Sequence, residues 1–335
     1  MASPNSIFTE LVTTTFRNHR KDIMDNVSKH NMLYRMIAQG GKARTEDGGI
    51  SIAIPLEYAQ NTTYQRYSGL DLLNIQQSDV LSGVEFQWRN IALHVVSSGN
   101  ELRINNGAQR IANLAKARIN NAIHSFANNF SADMYADGSL TNQIGGLQLL
   151  VPDTGLGTVG GIDSSAFPFW QSKVQSAAAP LQGGAAITPS GIAGIMESLM
   201  LPLYLETTRN NDMVDLIVAS NDYFTFYEQG LSSQKQFIDV TTASAGFLAL
   251  RYKKAQVVFD GNSGMPTSRM YFLNTKMFEV VAHSDANLTV IGDSDETPMG
   301  VEGLRPIAQD AAVVPILWMG NLTVSNRSLM GVLKP

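Results

Sequence analysis

The sequence predicts an α+β fold, and three observations carry that prediction. Apolar residues Ile111, Ala115, Ile119, Ile123, Phe126, Phe130 and Met134 recur at steps of three or four, the period of one long amphipathic helix. Ile50, Ile52 and Ile54 alternate with Ser51 and Ala53, and Val84, Phe86 and Trp88 alternate with Glu85 and Gln87, the period of half-buried strands. The second half mixes short apolar runs with helical stretches, which reads as a mixed α/β region.

Taken from the N-terminus, Ile7, Leu11, Ile23, Val27, Leu33 and Ile37 fall at mixed helical spacings and stop before Gly40 and Gly41. Thr13, Thr14 and Thr15 are β-branched and interrupt the pattern, so an arm of broken helix is expected over residues 1–40. The two alternating runs that follow are separated by a polar stretch, Glu57 to Ser82, carrying Tyr58, Tyr64 and Tyr67. They read as an extended hairpin or, alternatively, as two ordinary strands of a compact sheet. An isolated two-stranded ribbon is marginally stable in water, so a ribbon here must lean on another surface. The long helix begins after Gly107 and ends at Asp137 and Gly138, with Asn113, Lys116, Asn120, Asn121 and Asn128 on its polar face. Beyond it Leu147 to Val151 is strand-like.

Further on, Thr188 as N-cap with Pro189 in the first turn opens a helix carrying Ile192, Ile195, Met196 and Leu199, kinked or ended near Pro202. Val214 to Ala219 is a short strand whose successor, Ser220, can cap a helix through Tyr223, Phe224 and Tyr227 to Gly230. Strands are expected at Gln256 to Phe259, Arg269 to Leu273, Met277 to Val281 and Leu288 to Ile291. Two more are expected at Val313 to Met319 and Asn321 to Val324.

Composition narrows the function classes. With 335 residues and 44% hydrophobic content the chain can bury a substantial core, as two domains or as one domain with large excursions. Only 16% of residues are charged, against about 25% in ordinary soluble domains. A neutral surface suits a subunit consumed by contacts with its own copies, and it also suits a monomeric enzyme. The net charge of −5 provides no basic field for gripping a nucleic acid backbone. Arg17, Arg20 and Lys21 with His19, and then Lys253 with Lys254, are the densest basic groups and read as solvated positions. The absence of cysteine excludes disulfides, thiolate metal sites and cysteine nucleophiles. The start of the chain is not a signal peptide, and the apolar run Ala311 to Met319 is half the length of a membrane span and contains Pro315. The six Asn-x-Ser/Thr triplets are expected by chance in an Asn-rich chain.

The chemical motifs fail one by one. Gly155, Gly157 and Gly160 spell G-x-G-x-x-G, but a dinucleotide turn needs a helix beginning at the third glycine. Gly161, Asp163-Ser164-Ser165 and Pro168 follow instead, and no acidic residue occurs between Asp163 and Glu197 to hold a ribose. Gly41-Lys42 is followed by Ala43, so it is not a phosphate loop, and neither G-x-S-x-G nor H-E-x-x-H occurs. His19, His30, His94, His124 and His283 are scattered, and His124 is expected to pack or cap, since no ligand partner stands one turn away. Asp285, Asp293, Asp295 and Glu296 miss the spacing of a calcium loop and read as an exposed acidic loop. No catalytic, cofactor-binding or metal-ligating residue is therefore assigned.

The order of arm, β excursion, long helix, the block GGLQLLVPD…GTVGGID…FPFW, the DLIVASNDYF region and the ending ILWMGNLTVSNRSLMGVL resembles the tailed-bacteriophage major capsid proteins of the Hong Kong 97 type. GTVGGID and LWMGN are its most specific parts. The resemblance implies an N-terminal arm at 1–40, an extended loop at 41–97 lying on the next subunit, a peripheral domain with the spine helix at 98–185, an axial domain at 186–308, and C-terminal strands at 309–335 returning to the peripheral domain. It implies a subunit that assembles with itself into pentamers and hexamers of an icosahedral head enclosing double-stranded DNA without sequence-specific binding, and that contacts no membrane. Its other implied partners are a portal, possible decoration proteins and, with only about forty residues before the ribbon, a separate scaffolding protein. Cross-linking through a loop lysine is not expected, because no Lys occurs between Lys42 and Lys116. An encapsulin-like compartment shares the fold and is the alternative, and a nicotinamide-dependent oxidoreductase is the enzyme alternative.

Overall fold

A computed structural model describes residues 31–100, 108–188, 195–231, 249–261, 264–290 and 309–335. The expected arm over 1–30 with its basic group, His19 and His30, the helix start at 189–194, and Asp293, Asp295 and Glu296 lie outside these residues.

The predicted long helix is present as α2, Ala108–Asp133, about 39 Å long at 1.5 Å per residue. Its buried stripe of Ile119, Ile123, Phe126 and Phe130 is continued by Met134 just beyond its end. Phe130 meets Trp318 edge-on at 5.1 Å and Tyr34 at 5.7 Å, so the helix is clamped between a sheet and a second helix. That second helix is α1, Met32–Gln39, capped by Asn31, whose side-chain oxygen accepts from the Tyr34 amide at 2.9 Å. Met32, Leu33 and Ile37 are fully buried. The end of the segment read as an arm is therefore part of the core.

The sheet beneath α2 has the order β1-β12-β13-β4, comprising Ala43–Glu46, Phe278–Val290, Ala311–Val324 and Arg89–Ser98. Strands β12 and β13 are each one long strand where the sequence suggested two. Register shifts between Ala282 and Thr289 explain the first case: the polar residues between them form an irregularity within the strand instead of a turn. Lys42, beside the rejected phosphate-loop pattern, pairs with Glu279 of β12 at 2.9 Å.

A second sheet has the order β7-β14-β11-β8-β10-β9, comprising Lys173–Ser176, Gly331–Lys334, Met270–Leu273, Leu216–Ala219, Ala255–Phe259 and Ala249–Tyr252. The two C-terminal strands part company: β13 lies in the sheet under the long helix and β14 in the second sheet. Strand β14 runs parallel to β7 and antiparallel to β11. Its apolar residues Val332 and Leu333 are fully buried there. Leu147 to Val151, read as a strand, is instead one helical turn, α3 (Leu147–Leu150), closed by Leu150 N–H donating to Gly146 O at 3.0 Å. A short apolar run cannot be assigned to strand or helix by periodicity alone.

On one face of the second sheet a π-helical turn, Ile195–Met200, passes into α4, Leu201–Glu206, with Pro202 at the transition. Helix α5, Asn221–Gly230, packs Tyr223, Phe224 and Tyr227 into the same core. Ser220 occupies its N-cap but makes no side-chain cap bond. Its hydroxyl bonds to Asp222 and accepts the Arg269 amide at 3.1 Å, so it ties α5 to the start of β11. Lys253 and Lys254 form the β9–β10 turn, and the Lys253 ammonium lies over the Tyr204 ring at 5.0 Å. The long helix is linked to the second sheet where the Tyr135 hydroxyl donates to the Asp260 carboxylate at 2.5 Å.

Burial holds six tyrosines of these cores above their ordinary value near 10, Tyr34 and Tyr204 among them. Burial raises Tyr135 well above it, with Asp260 adding to the effect. Burial raises Tyr227 and Tyr271 as well, and pushes Tyr223 up to about 12. An acid whose pKa rises on folding contributes stability that is intact below its unfolded pKa and is lost as pH climbs through the folded one. Melting temperature followed by circular dichroism should therefore hold level up to about pH 9.5 and fall between about pH 10 and 12, each tyrosine contributing at most ~1.4 kcal/mol per pH unit. Tyr135→Phe should unfold more readily at neutral pH by about 2 kcal/mol, because the Asp260 carboxylate loses its buried donor.

Candidate assembly interface

The alternating runs form an antiparallel ribbon, β2 (Ser51–Glu57) with β3 (Leu81–Gln87), in which Ile52 faces Phe86 and Ile54 faces Val84. Ile52, Leu56, Val84 and Phe86 are buried and Ile54 half-buried, while Ala53, Pro55 and Glu85 between them are exposed. The pairing favours the hairpin over two strands of a compact sheet, since among the described residues β2 and β3 pair with each other alone.

What covers the inner face is the glycine-rich block. Thr158–Val159 (β5) and Ile162–Asp163 (β6) form a small hairpin whose turn is Gly160-Gly161. Gly160 has φ +61°, and its carbonyl accepts the Glu85 amide at 3.1 Å. A Cβ on Gly160 would lie 2.8 Å from the Val84 Cβ, so the absence of a side chain is what lets the ribbon sit this close. The aromatic cluster completes the seat. Trp170, fully buried, donates its indole N–H to Val159 O at 3.0 Å, and Phe169 lies 5.7 Å from Tyr58 at the ribbon's far end.

Three polar side chains hold the block itself. Asn321 of β13 donates to Gln87 O at 2.8 Å and accepts the Gly145 amide at 3.2 Å, joining ribbon, block and sheet. Arg327 is fully buried with no carboxylate partner among the described residues, donating Nε to Leu150 O at 2.7 Å and Nη1 to Gly157 O at 3.4 Å. Burial pushes its pKa down to about 10, so it remains charged at neutral pH. Arg269 forks onto Asp153 with contacts of 2.6 to 3.0 Å, which raises the guanidinium pKa further and fastens the block to β11.

Beyond Tyr58 the ribbon opens into a loop with an inverted pattern: its polar groups bond inward and its apolar groups face out. Thr62 and Ser78 hydroxyls meet at 2.6 Å. Gln65 accepts the Asn74 amide at 3.1 Å and donates to Leu72 O at 3.0 Å, and Asp71 accepts the Ser68 amide at 2.8 Å. Around these rungs Tyr64 is 82% exposed, Leu72 96% and Ile75 91%, with Leu70 wholly exposed and Tyr67 and Leu73 more than half so. Contiguous exposure of large apolar side chains on an ordered element marks a surface awaiting a partner.

The sequence singled out the GTVGGID, FPFW and LWMGN segments but assigned Asn321 and Arg327 no role, and it read residues 57–82 as polar. The signal it passed over was the leucine-rich string Leu70-Asp71-Leu72-Leu73-Asn74-Ile75 inside that stretch. The G-x-G-x-x-G glycines lie in and before a β-hairpin, not at a strand-to-helix junction. His94 lies in β4 and His283 in β12, the latter 5.6 Å from Trp88. His124 is exposed on α2. Among the described residues no group of three potential metal ligands comes together, and no helix is long and apolar enough to cross a membrane.

No protein-family model and no curated protein matches the sequence. Solved structures match along most of its length. The chain is 16% identical to a chain of the cyanophage A-1(L) capsid asymmetric unit, covering 88% of this chain and 90% of that one with a TM-score of 0.60. Against the capsid of the Myoviridae phage XM1 the identity is 12%, the coverage 88% and 90%, and the TM-score 0.50. Against the capsid of an empty GTA particle computed with C5 symmetry they are 13%, 88% of each chain, and 0.50. Likeness at these identities establishes a shared fold.

The seat can be tested by comparing two neighbouring glycines. Gly161 also has positive φ, +83°, but a Cβ there meets nothing within 4 Å. Gly161→Ala should lose about 1 kcal/mol from backbone strain alone. Gly160→Ala should lose a further 1–3 kcal/mol or so from overlap with Val84, and limited proteolysis should cut residues 58–80 faster in that variant only.

Proposed function

We propose that this chain is a major capsid protein, a Hong Kong 97-type subunit that assembles with its own copies into the icosahedral head enclosing the double-stranded DNA of a tailed phage. The observation that carries this reading is the braced loop whose apolar face nothing among the described residues covers, borne on a fold shared with capsid subunits. In this reading the ribbon and loop form the extended loop, the long helix is the spine of the peripheral domain, and the six-stranded sheet belongs to the axial domain.

The energetics favour assembly over an isolated existence. Six large apolar side chains on the loop, at about 1.5–3 kcal/mol each when buried, supply on the order of 10 kcal/mol of gross stabilisation per copy. Part of that is lost to the entropy of association, and the internal polar rungs reduce the remaining ordering cost because the loop is already shaped. A surface patch on one side of a subunit meeting a different patch on the next gives a head-to-tail contact, which closes into rings of five or six. The low charge content and net charge of −5 suit a wall that contains DNA without gripping it. The role in the virion is structural; a separate scaffolding protein, a portal and decoration proteins complete the proposed set of partners.

Electron microscopy of the expressed chain, alone and with its candidate scaffolding protein, should show icosahedral shells. A stable monomer that binds a nicotinamide cofactor would overturn the reading. Replacing residues 60–78 by Asn-Gly, which closes a two-residue hairpin on the same strands, should leave melting temperature within a few degrees of the parent and abolish shells.

A further inference from the structure

At the far end of the ribbon, where the loop begins and Phe169 of the block packs against it, an open notch of about 290 Å³ is lined by Tyr58, Leu81, Ile162, Phe167, Phe169 and Asp79. Its floor is rigid, because Tyr58, Phe167 and Phe169 pack on one another at 5.7 and 6.2 Å and the adjoining Trp170 is locked to Val159. Leu81 and Phe167 are nevertheless half or more exposed, so the notch is an apolar surface held open. The loop's own leucines do not fill it, since Leu70, Leu72 and Ile75 stand in solvent.

We propose that this notch is the receptor for the Leu70–Ile75 segment of a neighbouring copy's loop. The inference rests on the shell reading above and deepens it by naming where one subunit holds the next. Size and chemistry agree: the notch has the volume of a small apolar pocket, about 300 Å³, and takes branched aliphatic side chains against aromatic faces. Charge agrees as well. Arg66 is the sole cation between residues 58 and 80, and Asp79 is the notch's carboxylate; both are exposed and neither is in an ion pair among the described residues. Seating the leucines of one copy brings its Arg66 toward the Asp79 of the next. The donor and acceptor patches are different surfaces of one chain, as a repeating head-to-tail contact requires.

The chain has no cysteine, so introduced thiols can be read without background. In assembled particles of the full chain, the double variant Leu72→Cys with Phe167→Cys, treated with a short bismaleimide, should give a ladder of covalently joined subunits. Either single variant should stay monomeric on a denaturing gel. In sedimentation assays, Arg66→Glu and Asp79→Arg should each raise the subunit concentration needed for assembly about threefold or more, as expected for an exposed pair. The combined reversal should restore it to within about twofold. Both positions are exposed, so unchanged melting temperatures will separate failed docking from failed folding. Particles that form without a two-cysteine ladder, a ladder from Leu72→Cys alone, or a combined reversal no better than the single ones would overturn the docking site and leave the shell reading standing. A parent chain that forms no particle under any of these conditions would overturn both.

Discussion

A two-stranded ribbon has one apolar face and no third strand to bury it, and the rest of this structure is arranged around meeting that need. The contact that does so is small. The bare backbone of Gly160 lies against Val84 and Phe86, and its carbonyl takes the one ribbon amide that faces it. Everything that positions Gly160 therefore positions the ribbon: the hairpin turn, the Trp170 indole on Val159, the Arg327 guanidinium on the flanking carbonyls and the Asn321 amide bridging to Gln87. A side chain at residue 160 would separate the two surfaces, and the apolar face would be left half wet.

The elements that were legible in the sequence are those whose burial follows one period. The long helix and the ribbon strands declare themselves because a single face of each is covered along its length. The errors arose where local pattern and tertiary setting part company. Leu147 to Val151 is apolar without a strand to pair with and coils into a turn; the polar residues between Ala282 and Thr289 stay in their strand as an irregularity. The last strand, Gly331–Lys334, was not read at all, because nothing in Val332 or Leu333 says which neighbour will bury them. The interface was half legible. Its glycines and aromatics stood out, but Asn321 and Arg327 act through bonds to backbone carbonyls and amides far away in sequence, and such bonds leave no spacing to find.

The loop inverts the usual distribution of polar and apolar groups, and that inversion explains the composition. Its polar side chains are spent on each other, so its shape does not depend on a core. Its apolar side chains are then free to serve another molecule. Charge would hinder that service, because an ion carried into a contact must be paired or desolvated. A chain with few charges, nearly all of its loop neutral, and one cation and one notch carboxylate left to fix the fit is the composition that such a surface calls for.

The order in which these parts occur along the chain has a temporal consequence. Ribbon, block and long helix are all complete by residue 176, yet the side chains that fasten them, Asn321 and Arg327, and the strands that close both sheets, β13 and β14, come after residue 310. During synthesis the ribbon is therefore made long before its seat can be secured. A nascent chain cannot hold its ribbon firmly seated until its late strands have been delivered. Chain order thus separates two events: the apolar loop is made early, and the seat that aims it is secured last.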